Sequence, residues 1–101
     1  MSLRNKQSEF VLAIAKLISY TYSLGYELTF GDTYPGKHEH QILGAHPKGL
    51  AIDLNLFKSG KFLTDTLDHQ DLGDYWKSLG GIWGGDFSNP DGNHYEWPDR
   101  S

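Results

Sequence analysis

A chain of 101 residues, 38% of them hydrophobic and fourteen aromatic, is composed for folding as one domain (1–101) around a single core. Its net charge of -4, without any run of lysine or arginine, leaves no electrostatic footprint for a nucleic-acid backbone. The absence of cysteine removes disulfides and thiolate metal sites, so a bound metal would have to be held by histidine and carboxylate, a donor set that suits zinc.

Near the start, Phe10, Val11, Ile14, Leu17, Ile18 and Tyr22 recur at helical spacing, which predicts an amphipathic helix from about Asn5 to Leu24, ended by Gly25. The same stretch, "FVLAIAKLISYTYSL", is interrupted by Lys16 and Ser19 and has no small-residue cleavage site after it, so it is not read as a secretory signal. Nothing in the chain is long and apolar enough to cross a bilayer. The expectation is a monomer made in the cytoplasm without a signal peptide and not inserted in a membrane.

Tyr26, Leu28 and Phe30 alternate with Glu27 and Thr29 as in a half-buried strand. From Gly31 to Lys48 the text is polar and broken by Pro35, Gly36, Gly44 and Pro47, a long loop of the kind that carries function. A second strand follows, with Leu50, Ile52, Leu54 and Leu56 on one face and Ala51, Asp53 and Asn55 on the other. Lys58, Ser59, Gly60 and Lys61 supply a hairpin turn into Phe62 and Leu63. Leu72, Tyr75, Trp76 and Leu79 mark a second helix stopped by Gly80 and Gly81. The glycine-rich "IWGGDFSNPDG" reads as a loop, and "NHYEW" as a short strand with His94 and Glu96 on one face and Tyr95 and Trp97 on the other. This order does not alternate as a parallel sheet requires, so the fold class is α+β, a small antiparallel sheet packed on helices by one face. The other face carries Asp53, with His94 and Glu96 as its candidate neighbours.

An ionised Asp53 between Ile52 and Leu54 needs a cation or hydrogen-bond donors to meet it. His46 lies seven residues before it, which in an unbroken strand is the opposite face, but Pro47 and Gly49 can turn the chain and bring His46 back. With His94 as a third ligand, two histidines and a carboxylate would leave a fourth zinc position open to water, the arrangement of a catalytic site. Other readings stand beside this one. Asp53 is also placed to cap a turn or pair with Lys37 or Lys48, and His38 and His40 form a rival pair in a loop polar enough to keep them solvated. His69 reads as a surface residue at the start of the second helix and Trp76 as core, while Trp83 and Trp97 sit beside glycine-rich loops, where aromatics often line pockets.

"HPKGLAID" carries His46, Gly49, Ala51 and Asp53 in the H-x-x-G-x-A-x-D pattern, and "WGGDF" is followed by "PDGNHYEW". These motifs, and nearly the whole chain around them, resemble the zinc D,D-peptidase family that includes VanY-type carboxypeptidases and phage L-alanyl-D-glutamate endopeptidases. The resemblance implies the Hedgehog/D,D-peptidase fold, zinc (Zn2+) held by His46, Asp53 and His94, and Asp91, three residues before the last histidine, as the catalytic base that passes a proton to the departing amine. Peptide hydrolysis asks for such a group, since its leaving amine is poor. Glu96 is placed either to hydrogen-bond and orient His94 or to serve as the alternative base. Where the family commonly has a hydroxyl residue two before the first zinc histidine, this chain has Gly44, and the family's substrate-gripping arginine is absent from "TYPGKH". Substrate binding is therefore assigned to Lys37, Tyr34 and Trp83, with lysine a looser grip than the planar arginine fork.

The function expected on this basis is hydrolysis of the peptidoglycan stem peptide by a phage endolysin-like L-alanyl-D-glutamate endopeptidase, reaching the wall after membrane permeabilisation. D-alanyl-D-alanine carboxypeptidase activity is the nearest alternative. A non-catalytic zinc-stabilised wall-binding module using Tyr34, Trp83 and Trp97 is the alternative from a different class, with a metal-free structural protein behind it.

Overall fold

The structure is a computed structural model that describes residues 2–31 and 48–99. Helix α1 runs Leu3–Ser23, starting two residues before the expected position because Ser2 accepts the Asn5 N–H on its hydroxyl and caps the first turn. Its buried stripe is Lys6, Phe10, Ala13, Ile14, Leu17 and Thr21. This is rotated from the stripe read off the sequence: Val11 is 66% exposed and Tyr22 49%. The rotation follows from packing, since α1 faces helix α2 (Gln70–Ser78) and stacks Tyr20 on Tyr75 with ring centroids 4.2 Å apart.

Among the described residues, five strands form the sheet: β1 Glu27–Phe30, β2 Ala51–Lys58, β3 Lys61–Leu63, β4 Ile82–Trp83 and β5 His94–Glu96, all pairings antiparallel. Spatial order is β1-β2-β5-β4, with β3 also on β2. β2 is the spine. Leu54 and Leu56 are sealed beneath it and Leu50 just before it, while Asp53 and Asn55 look the other way, half-buried, as alternation requires. Ser59 and Gly60 both take positive φ, 53° and 77°, the two-residue turn whose twist matches a tight hairpin. The stretch read as a loop from Ile82 contains β4, which exists through its pairing of Ile82 with Glu96 and Trp83 with Tyr95.

Under the sheet, Leu17, Leu54, Leu56, Leu72, Trp76, Trp83 and Tyr95 make the core. Trp76 spends its indole N–H on the carbonyls of Ile82 and Glu96, tying α2 to both β4 and β5. Trp83 lies so close to α2 that a Cβ at Gly73 would enter its ring system. Alanine normally stabilises a helix interior over glycine by about 1 kcal/mol. Here the sign reverses: Gly73→Ala is expected to lose about 1–3 kcal/mol to overpacking, measured as a lower urea midpoint at unchanged m-value.

Candidate metal centre

The register of β2 against β5 sets Asp53 directly opposite His94, with Ile52 opposite Tyr95 and Ala51 opposite Glu96. Cross-strand partners share a face, and Tyr95 and Leu54 point into the core, so Asp53 and His94 emerge together on the other side. His94 Nδ1 lies 3.3 Å from Asp53 Oδ1, and His94 Nε2 lies 2.9 Å from Glu96 Oε1. The imidazole is thus held between two carboxylates, its side chain only 12% exposed.

Asp91 arrives from the turn before β5. Its backbone N–H donates to Gly84 O and its carbonyl accepts the His94 N–H, which folds the Pro90 to Asn93 segment back over the start of β5. Gly84 is what permits this approach: a Cβ there would collide with the Asp91 carbonyl and stand 2.7 Å from His94 Cβ. Donor atoms of Asp53, Asp91 and His94 all lie within 4.8 Å of one another, with Asp91 exposed and the other two half-buried. Phe87 stands beside them, its ring centroid 5.6 Å from that of His94. Neither Gly84 nor Phe87 stood out in the sequence as a site residue, although both belong to the "WGGDF" motif.

Among the described residues, Asp53, Asp91 and Glu96 surround one imidazole, a gathering of negative charge of the kind that a divalent cation balances. The spacing fits one. Two ligands of a tetrahedral zinc, each about 2.0–2.1 Å from the ion, stand about 3.3 Å apart, and that is the Asp53 Oδ1 to His94 Nδ1 separation. The Glu96 carboxylate on Nε2 leaves Nδ1 as the nitrogen facing the other donors, and carboxylates so placed orient ligating histidines.

The expected site residues divide as follows. Asp53, Asp91, His94 and Glu96 are brought together; His46, Lys37 and Tyr34, with the rival His38 and His40, lie outside the described residues. The alternative pairing of Lys48 with Asp53 is not made: Lys48 Nζ reaches Asp99 at 2.6 Å, and Asp99 also binds Lys6 at 3.0 Å. Trp83 is 2% exposed and its indole N–H donates to Gly92 O, so it has no face for a substrate and instead supports the turn that carries Asp91. Trp97 is half-buried against Trp76, ring centroids 5.4 Å apart. His69, expected at the surface, is 2% exposed, because Tyr95 takes its Nδ1 into a 2.7 Å hydrogen bond across the sheet's edge.

Residues 37–97, more than half of the chain, match the family model described as D-alanyl-D-alanine carboxypeptidase, of the M15 peptidases. The chain belongs to the zinc D,D-peptidase family. As a member of that family it is a metallopeptidase, and the family acts on peptidoglycan. No curated protein matches it in sequence. Among solved structures, the L-Ala D-Glu endopeptidase ChiX of Serratia marcescens superposes with a TM-score of 0.66 at 16% identity, covering 95% of this chain and 83% of that one, a likeness of fold. The D,D-peptidase family consists of zinc enzymes, and the carboxylate and imidazole donors gathered here are of the kind that binds this ion.

In the metal-free protein the His94 pKa is pushed from 6.5 up to about 9, first by the hydrogen bond to Asp53, against burial, with the Glu96 hydrogen bond and both carboxylate charges adding to the rise. A raised folded-state pKa means that protonated His94 stabilises the metal-free fold fully below pH 6.5 and loses that contribution as pH climbs through 9. The difference in urea midpoint between the metal-free wild type and His94→Gln should therefore shrink over that interval and stay level on the acid side. Zinc affinity should move the opposite way, rising up to about pH 9, because ion and proton compete for the same imidazole. Calorimetric titration with zinc across the range measures it.

Proposed function

We propose that this protein is a zinc-dependent endopeptidase that cuts the L-alanyl-D-glutamate bond of the peptidoglycan stem peptide, acting as a phage or prophage lysis enzyme. The observation that carries the reading is the convergence of Asp53, Asp91 and His94 on one open face of the sheet, beside an ordered histidine partner in Glu96. Membership of the D,D-peptidase family supports the substrate class, and the fold likeness to an L-Ala D-Glu endopeptidase supports the choice of bond. The description of the matching family as a D-alanyl-D-alanine carboxypeptidase keeps cleavage of that bond as the second reading.

On this reading His46, Asp53 and His94 hold the zinc, which when bound supplies a Lewis acid for the scissile carbonyl and lowers the pKa of water to near neutrality. Asp53 brings a negative charge to the ion, and its place opposite His94 fixes the distance between two of the donors. Glu96 accepts the Nε2 proton of His94, which sets the tautomer and holds the ring in plane. Asp91, exposed and within reach of the other donors, takes the proton of the attacking water on its carboxylate and delivers it to the departing amine. Lys37 and Tyr34 are proposed to contact the substrate from the segment before His46. The enzyme acts as a monomer and reaches the wall once the membrane has been permeabilised by another protein.

Digestion of purified peptidoglycan with added zinc, followed by mass spectrometry of the fragments, tests the proposal. New amino-terminal glutamate is the expected product; release of free D-alanine selects the second reading, and wall binding without release selects a non-catalytic module. Asp91→Ala should lower kcat by about 10²- to 10⁴-fold while zinc content by elemental analysis stays at the wild-type level. Glu96→Gln should instead weaken zinc binding by about 10- to 100-fold, with activity recovered in excess zinc.

A further inference from the structure

Two strands share one edge of β2. The Asp53 carbonyl points to the β1 side, where it accepts the Gly31 N–H, so the Leu54 N–H points to the opposite side and donates to Asn93 O. On that opposite side β5 pairs with Ala51 to Asp53 and β3 with Leu56 to Lys58, which leaves a notch at Leu54 and Asn55. A cavity of about 220 Å³ opens there, lined by Asn55, Thr64, Thr66, His69, Asn93 and the proposed base Asp91. Its wall is fixed by close contact, since a Cβ at Gly92 would stand 2.7 Å from Thr66 Cα.

The group that gives this cavity a chemistry is His69. Its Nδ1 is committed to Tyr95 Oη at 2.7 Å, and no partner for Nε2 exists among the described residues. Burial holds the His69 ring below its ordinary pKa, hence neutral. A fully buried phenol O–H needs an acceptor, and among the described residues the Nδ1 lone pair is the one in hydrogen-bond contact with it. The single ring proton then sits on Nε2, so His69, a residue of the cavity wall, carries a hydrogen-bond donor on the ring edge away from Tyr95. Around it are two threonine hydroxyls and two side-chain amides, with the Asp91 carboxylate at one end. Pockets for drug-sized ligands span about 300–1,000 Å³, so this smaller space takes one residue of a substrate and not a disaccharide.

The geometry points to a substrate subsite in the notch between β3 and β5, in which His69 Nε2–H donates to an uncharged carbonyl or carboxamide oxygen of the residue on the departing-amine side of the scissile bond. The side of the bond rests on the proposed role of Asp91 as donor to that amine. The preference for an uncharged group comes from the Asp91 carboxylate, which repels a second one in the same cavity.

The test uses the full chain labelled with ¹⁵N-histidine, freed of metal, and titrated with the peptide L-alanyl-D-isoglutaminyl-L-lysine. The His69 ring is expected as the neutral Nε2–H tautomer, with its Nε2 resonance shifting as peptide is added. The Nδ1–H tautomer, or no His69 response up to millimolar peptide, overturns the proposal. In the zinc-loaded enzyme, His69→Leu should lower kcat/KM by about 3- to 10-fold, the worth of one neutral hydrogen bond, mostly through KM, while His69→Gln, which keeps a donor at the Nε2 position, restores most of it. Thr64→Val, at the exposed rim, leaves the His69–Tyr95 pair untouched and should raise KM, so it decides the matter if His69→Leu does not fold. Cleavage at the wild-type rate by His69→Leu and Thr64→Val removes the subsite and leaves the peptidase reading intact. A His69 response in a protein that releases no amino termini keeps the subsite and removes the peptidase reading.

Discussion

The pairing of Asp53 with His94 across β2 and β5 is the constraint on which the rest of the site depends. It is a register, not a contact between neighbours in sequence. The two residues are 41 positions apart, and they meet because the residues flanking them, Leu54 on one strand and Tyr95 on the other, are sealed in the core beneath. Slipping β5 by one residue would send Tyr95 to solvent and His94 inward, a large apolar loss that the polar face alone could not oppose. The hydrophobic underside of the sheet thus sets the spacing of the donors on top.

Rigidity around the centre comes from tryptophans packed against bare backbone. Gly73 on α2 and Gly85 after β4 both face the Trp83 ring, and Gly81 faces that of Trp76, each with no room for a methyl group. Trp83 then hydrogen-bonds Gly92 O and Trp76 hydrogen-bonds Glu96 O, so the two indoles hold the backbone on either side of His94. A residue that looks from the sequence like a pocket aromatic is in this way a support placed behind the pocket.

What was legible in the sequence is what local period and a shared motif can carry. The alternation through "LAIDLNLF" put Asp53 on the open face and the leucines below, and "NHYEW" put His94 beside Glu96, as the structure has them. Helix α1 was legible as an element, but its buried stripe was not, because which flank of the helix turns inward is decided by α2, through Tyr20 on Tyr75. β4 has only two residues between glycine pairs and no period to read; pairing with β5 makes it. His69 carried no local signal of burial, since its partner Tyr95 is 26 residues away. The first of the three expected zinc ligands, His46, falls outside the described residues, so the part of the centre now built is the part carried by β2, β5 and the turn between β4 and β5.

The Asp99 carboxylate grips two ammonium groups of unequal exposure: Lys6 on α1, whose side chain is 10% accessible, and Lys48 at the entrance to β2, 58% accessible. Gln7 adds a hydrogen bond to the Lys48 carbonyl. Screening by dissolved ions acts on exposed charges first. Rising ionic strength would loosen the Lys48 arm while Lys6 keeps hold, so the fastening is a latch that opens from the β2 side, leaving helix α1 and the segment after β5 joined.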